Sequence, residues 1–310
     1  MMHLSKIPNK RIGFSRIVCP VDMAPDSDEA LRYAIALARD YSAKLFILHA
    51  VDDRKIVDLS ERAQIKSVLE NCVGKHMQFE SSEEFDCSIL LVEGEPVEAI
   101  VSRAAELSAD LIVMRSQRRP KASALLGSTA EAVSRIAPCP VMVSHPNEQD
   151  WVGKTTKGEL NRVLVAYDFS TDAELALAYG LSLAEEYQGE LHLLHVLPER
   201  RNSETPELSR LPFTMDVTFQ AAAARLNGMV PMEALAWCDL KQAIREGQPY
   251  REILNYAEEE GIDLICMGAS GTGYGMRTLF GSNADRVLRQ APCPVLIARP
   301  LRPNIQAAKP

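Results

Sequence analysis

Apolar residues in this chain fall into two alternating patterns, and the alternation runs along the chain twice. In the first half, short apolar runs occupy Ile17–Val21, Leu45–Val51, Ser88–Val92, Leu111–Met114 and Val141–Ser144. Leu45–Val51 is nearly continuous in hydrophobicity, as a strand buried on both sheet faces should be. Between the first two runs, Ala30, Ala34, Leu37, Ala38 and Tyr41 recur at the three-to-four spacing of one helical face. Asp26 stands where an N-cap is wanted. Pro96 opens another helix at its first turn, where a missing N–H costs nothing. A long variable segment separates the second run from the third, and Gly127-Ser128-Thr129 starts the last helix of this half. Strand and helix in strict alternation predict a parallel, doubly wound sheet. Ligands of such sheets sit at the carboxyl ends of the strands, near the topological switch point.

The second half repeats the first. Arg16–Val51 aligned with Arg162–Leu197, a shift of 146, gives 12 identities in 36 positions, among them Asp22, Asp26, Tyr33 and His49 with their partners. Gly127–Pro146 against Gly281–Pro300, a shift of 154, gives 11 in 20, centred on Ala-Pro-Cys-Pro-Val at Ala137–Val141 and Ala291–Val295. Glu93-Gly94-Glu95-Pro96 answers Glu246-Gly247-Gln248-Pro249. A duplication at this scale implies two homologous domains, at 14–146 and 161–300. The polar stretch 147–160 between them reads as a linker.

Composition narrows the function. With 46% hydrophobic and 25% charged residues over 310 positions, the chain has the apolar content to bury two cores. Its net charge of −8 has the wrong sign for a protein whose main partner is nucleic acid. No run approaches the ~18 apolar residues of a membrane span, and no secretory signal is visible at the N-terminus. Seven scattered cysteines without a C-x-x-C pair read as reduced thiols in a cytoplasmic protein, not as a zinc site or a disulfide framework.

The chemistry gathers in a glycine-rich segment. Strand Leu264–Met267 runs into Gly268-Ala269-Ser270-Gly271-Thr272-Gly273, and Gly281-Ser282-Asn283 then opens a helix. Glycines after a strand let backbone amides approach a phosphate. Ser282 adds a hydroxyl at the positive end of a helix. A P-loop is excluded because Gly273 is followed by Tyr274 where lysine is required. A dinucleotide fingerprint is excluded because Met276 takes the place of its third glycine and the segment follows the fourth strand, not the first.

These features together resemble the universal stress protein family, with one family domain in each half. The family's nucleotide signature is glycine, two residues, glycine, nine residues, glycine, then serine or threonine. Gly268, Gly271, Gly281 and Ser282 meet it in full. The resemblance implies two Rossmann-like domains of the adenine nucleotide α-hydrolase type, each a five-stranded parallel sheet with helices on both faces. It also implies ATP as ligand of the second domain, with Mg2+ bridging its phosphates. Asp168 would contact the adenosine, Val196 and Met267 would border the adenine, and Gly268, Gly271, Gly281, Ser282 and Asn283 would hold ribose and phosphates. The domains would pair as an internal pseudo-dimer through their last strands, with a homodimer as a further option.

The first domain departs from the pattern. Arg115 and Arg118 stand where the two leading glycines belong, and the spacing from Arg118 to Gly127 is one residue short. Asp22, Gly127, Ser128 and Thr129 remain, so an altered pocket is expected there, with Arg119 and Lys121 adding positive charge nearby. His49 and His195 read as hydrogen-bonded core residues, and Cys139 and Cys293 as buried thiols. Glu258-Glu259-Glu260 reads as an exposed helix end, and Arg200 and Arg201 as part of a solvated loop. No general base or phosphate-clamping lysine accompanies the glycines, so the expected function is ATP binding as a regulatory ligand of a cytoplasmic stress protein, not efficient catalysis. The alternatives are an interaction scaffold with vestigial sites and a slow ATP-hydrolysing enzyme.

Overall fold

A computed structural model of the chain describes residues 12–22, 28–51, 58–77, 86–116, 127–145, 151–152, 158–199, 213–271 and 280–301. The first half contains strands β1 (Arg16–Pro20), β2 (Lys44–Val51), β3 (Cys87–Glu93), β4 (Leu111–Arg115) and β5 (Val141–Ser144). Helices α1 (Asp28–Asp40), α2 (Leu59–Met77), α3 (Pro96–Glu106) and α4 (Ser128–Ile136) alternate with them. The second half repeats the order with β6 (Arg162–Ala166), α5 (Thr171–Tyr187), β7 (Glu190–Pro198), α6 (Phe213–Asn227), β8 (Leu240–Gly247), α7 (Pro249–Glu259), β9 (Leu264–Gly268), α8 (Ser282–Gln290) and β10 (Val295–Ala298). A 3-10 turn, Met232–Ala236, precedes β8.

All ten strands form one sheet in the order β3-β2-β1-β4-β5-β10-β9-β6-β7-β8. Within each half every neighbour is parallel, and the chain winds outward from the first strand in both directions. The halves meet where β5 and β10 pair antiparallel, Val143 against Val295 and Val141 against Ile297. Each half is therefore a five-stranded doubly wound unit, joined to the other by its last strand.

Both faces of this sheet are covered by helices across the join. On one side α1 and α5 bury Tyr33, Ile35 and Leu37 with Leu177, Tyr179 and Leu183 in a core drawn from both halves. On the other, Ile100, Val133, Ile253, Val287 and Leu288 pack on Val18, Ile112, Leu164 and Ile265. Burying that much apolar side chain, at roughly 25 cal/mol per Å², makes the halves one hydrophobic body. The segment read as a linker contributes too. Trp151 and Val152 are buried, and the Trp151 ring lies 5.1 Å from Tyr33 and 5.6 Å from Tyr187, between the two halves. Tyr187 donates its hydroxyl to Asp40 at 2.5 Å, another bond between the halves.

Charge follows the same pseudo-twofold. Arg135 on α4 reaches Asp285 on α8 at 3.0 Å, and Arg289 on α8 reaches Glu131 on α4 at 2.6 Å. Arg299, buried just past β10, donates to the carbonyls of Ser134, Arg135 and Ala137 at the end of α4. A helix C-terminus presents unpaired carbonyls and negative potential, so a buried guanidinium there satisfies both.

Helix α2 was not evident from the apolar spacing. Of its described side chains only Leu69 and Val73 are buried, so it shows no apolar stripe for periodicity to find. The Asp26 cap lies outside the described residues. Among the described residues no helix is long and apolar enough to cross a membrane.

Candidate functional site

In the second half, three strand ends and one helix start converge at the carboxyl edge of the sheet. Asp168 follows β6, Val196 lies near the end of β7, Met267 and Gly268 end β9, and Gly281 caps α8 ahead of Ser282 and Asn283. The fold brings these predicted residues to one edge.

Close approach requires glycine at position 268 and favours it at 271. A side-chain carbon on Gly268 would stand 2.7 Å from Cβ of Asp172 and 2.9 Å from its backbone carbon. One on Gly271 would stand 2.5 Å from Oδ2 of Asp168. Real carbon atoms do not approach that closely: at Gly268 the backbone of Asp172 cannot yield, so the loop passes it only as glycine, whereas at Gly271 the end of the Asp168 side chain would have to turn aside. Gly281 is roomier, with its nearest contact at 3.4 Å to the Ala269 carbonyl, to which its own amide donates at 2.8 Å. As a glycine, the cap residue brings no side chain to the first-turn amides of α8. Those amides and the helix dipole suit an anion.

Asp172 is a residue the sequence reading did not single out. It accepts both the amide of Ser270, at 3.1 Å, and its hydroxyl, at 2.5 Å, which fixes the first bend of the loop. The signal was present in the repeat, since Asp172 aligns with Asp26, but Asp26 was read only as a helix cap. Asp168 in turn accepts the amide of Ser170 at 3.0 Å, and Ser170 caps α5 through the amide of Ala173 at 3.1 Å. Phe169, between them, has a left-handed backbone (φ 62°), a strained state for a non-glycine residue. Its ring lies 4.7 Å from His195, and Arg225 from α6 stacks on it at 3.9 Å.

The two histidines behave alike. Nδ1 of His195 lies 2.7 Å from the Tyr167 carbonyl, and Nδ1 of His49 lies 2.9 Å from that of Val21. A carbonyl only accepts, so in both rings Nδ1 carries a proton. They lock the strand ends. The thiols are equally quiet: all seven cysteines are free of disulfides, and burial pushes Cys139 up to about 12, where thiolate is scarce.

In the first half, Asp22, Arg115, Gly127, Ser128 and Thr129 line one cavity of about 210 Å³, whose apolar wall includes Leu48, Ile100 and Met114. Arg115 pairs with Ser144 on β5, the register that Gly268 takes against Ala298 on β10. Its guanidinium turns toward α1, and Nε meets Glu29 at 3.0 Å. Arg118, Arg119 and Lys121 lie outside the described residues, as do Arg200, Arg201 and the glycines at 273 and 275. Among the described residues no group of three or more His, Cys, Asp or Glu is placed to hold a metal. Glu258-Glu259-Glu260 closes α7 at the surface, where Glu259 meets Arg245 at 2.5 Å and Glu260 meets Lys241 at 2.6 Å.

Two doubly wound halves of one sheet, each with a helix N-terminus and a strand-end carboxylate at its carboxyl edge, define a tandem Rossmann-like α/β protein. The universal stress protein family matches twice, at residues 13–145 and 159–299, and the chain belongs to that family. Universal stress protein Rv2623 of Mycobacterium tuberculosis is 28% identical over 303 residues, spanning 91% of this chain and 96% of that protein. Universal stress protein YxiE of Bacillus subtilis is 30% identical over 147 residues, which cover 45% of this chain and 99% of that protein. A crystal structure of a universal stress protein from Archaeoglobus fulgidus covers 92% of this chain and 98% of its own at TM-score 0.63 and 24% identity, and shares the fold.

Proposed function

We propose that the second half binds ATP as a regulatory ligand and does not turn it over efficiently. The reading rests on one observation: a glycine loop pressed against Asp168 leads into the N-terminus of α8, whose glycine cap brings no side chain to its first turn. Asp168 is the hydrogen-bond acceptor for ribose hydroxyls, while Val196 and Met267 offer apolar surface to the base. Gly268, Gly271, Gly281, Ser282 and Asn283 present amides and a hydroxyl to the phosphates, whose charge a Mg2+ carried with the nucleotide would help to offset. A Cβ at Gly271 would push the Asp168 carboxylate away from the position proposed for the ribose.

Slow turnover follows from what surrounds the phosphate end. Phosphoryl transfer depends on positioned cations and an oriented nucleophile, and the described loop residues supply neither. Seven thiols without a disulfide suit a reducing compartment, and we place the protein in the cytoplasm.

The test is mass spectrometry of small molecules retained on gently purified protein, followed by calorimetric titration with ATP and Mg2+. Retained adenine nucleotide, or saturable binding at one site lost in Gly271→Val, is the expected result. Protein that arrives empty and does not respond to ATP would overturn the reading and favour a scaffold. Steady phosphate release at many turnovers per minute would instead make it an enzyme.

A further inference from the structure

On the outer face of α7 and α8, one tyrosine is set between two arginines. Tyr250, the second residue of α7, is partly exposed. Nε of Arg251 donates to its hydroxyl at 2.9 Å. The guanidinium of Arg286, on α8, lies 4.6 Å from the centre of its ring. Arg135 and Arg289 nearby are committed to Asp285 and Glu131, whereas Arg251 and Arg286 rest on the phenol. The first half has no such cluster, because Val97, Glu98 and Ala132 take the three aligned positions. Other tyrosines of the described chain are placed differently. Tyr33, Tyr167, Tyr179 and Tyr256 are buried, and Tyr187 gives its hydroxyl to Asp40. The hydrogen bond from Arg251 holds the Tyr250 hydroxyl below its ordinary range, with Arg286 acting in the same direction. Burial instead pushes Tyr167 and Tyr256 up to about 12.

We propose that Tyr250 is a phosphorylation site whose phosphate Arg251 and Arg286 clamp, tying α7 to α8. The donor is a nucleoside triphosphate carried by a tyrosine kinase. The phenol oxygen attacks the terminal phosphorus, and an O–P bond forms as the bond to the diphosphate leaving group breaks. The phenolic proton passes to the kinase's base. The product carries close to two negative charges and three strong acceptor oxygens at the place where two guanidinia already meet. A neutral phenol accepts only an ordinary hydrogen bond, whereas a phosphate accepts charge-assisted and bidentate ones from arginine. A free anion would have to displace the phenol from both arginines; a phosphate on the phenol oxygen keeps the arrangement and strengthens it. The proposal does not depend on nucleotide binding by the second half.

The test starts from the intact folded chain, incubated with ATP, Mg2+ and a broad-specificity tyrosine kinase, followed by mapping of the phosphopeptides. Tyr250 should carry most of the label among the eight tyrosines, and Tyr250→Phe should lose it. Phosphorus NMR on the labelled chain then reads the clamp itself. The second ionisation of a phosphate monoester falls near pH ~6. Two adjacent guanidinia favour the dianion and should lower that value by about one unit. In the phosphorylated double variant, Arg251→Gln with Arg286→Gln, the titration should return to about pH 6. Replacing both by lysine keeps the charge and loses the planar fork, and should restore only part of the shift. Label spread evenly over the tyrosines, an unlabelled Tyr250, or a phosphate that titrates alike with and without the arginines would overturn the proposal.

Discussion

Arg115 and Gly268 occupy the same place in two copies of one fold, and the contrast between them shows what the nucleotide signature requires physically. Both end the fourth strand of their half, in the same register against the last strand. In the second half the start of α5 comes so close that any side chain on Gly268 would run into Asp172, and Asp172 uses that closeness to hold both polar groups of Ser270. In the first half a long side chain fills the position and is answered by Glu29 on α1. The arginine is answered by a neighbouring carboxylate, so its charge does not stand alone beside α1. Two ways of finishing a strand give the two edges different charge and different room for a side chain.

The largest expected effect comes from forcing one half to imitate the other. Gly268→Arg should abolish ATP binding, a loss of more than about a hundredfold. The new side chain has no partner at Leu175, which aligns with Glu29, and its Cβ would have to displace the backbone of Asp172. Overpacking of this kind typically costs about 1–3 kcal/mol of stability. Calorimetric titration with ATP measures the first effect and thermal unfolding the second. If Gly268→Arg binds ATP like the parent chain, the glycine is not part of the site.

The same comparison explains what could be read from the residues in order. Strand existence was legible because β2, β4 and β5 are buried and nearly continuous in apolar residues; the predicted Val141–Ser144 matches the strand found, and Leu45–Val51 differs by one residue. The glycines at 268, 271 and 281 stand out in the sequence because their spacing follows the family's signature. What stayed hidden depends on neighbours distant in sequence. Asp172 meets Ser270 across 98 residues, and Arg299 meets the end of α4 across more than 160. Trp151 sits in a polar stretch and shows its anchoring role only when Tyr33 and Tyr187 flank it. Helix α2 escaped because so few of its side chains are buried.

A second test sharpens the join between the halves. Arg299 has His145 as its repeat partner, and both are buried. Arg299→Ala removes the donors for three carbonyls at the end of α4 and empties the space of a long side chain. Charge-assisted hydrogen bonds are worth about 1.5–3 kcal/mol each net, but they are not additive within one group. The expected loss is about 3 kcal/mol, seen as a lowered urea midpoint. An effect below ~0.5 kcal/mol, the level of an ordinary surface change, would mean that the β5–β10 pairing and the shared cores carry the join without it.

The smallest effect concerns the opposite edge of the sheet, where the halves also differ. His192 is buried in β7, with Nδ1 2.9 Å from the Tyr256 hydroxyl and Nε2 3.2 Å from Glu190, a contact that falls short of hydrogen-bond alignment. The first half has Phe46 in its place, with Lys44 lying 5.5 Å above the ring. Burial holds the His192 imidazole below its ordinary range, outweighing the pull of Glu190 and Glu260, while Lys241 lowers it further. A histidine with a depressed folded pKa is neutral in the native state and takes its proton on unfolding. Its stabilising neutrality is therefore complete above about pH 6.5 and is lost as pH falls through that value toward the folded pKa. Replacing His192 and Tyr256 together with phenylalanine removes the titrating ring without stranding its hydroxyl partner. Stability at pH 8 should change little, whereas the loss between pH 6.5 and pH 5 should become shallower than in the parent chain. Parallel urea melts at those pH values measure the difference, and identical acid slopes in the two proteins would show that other groups set the acid response.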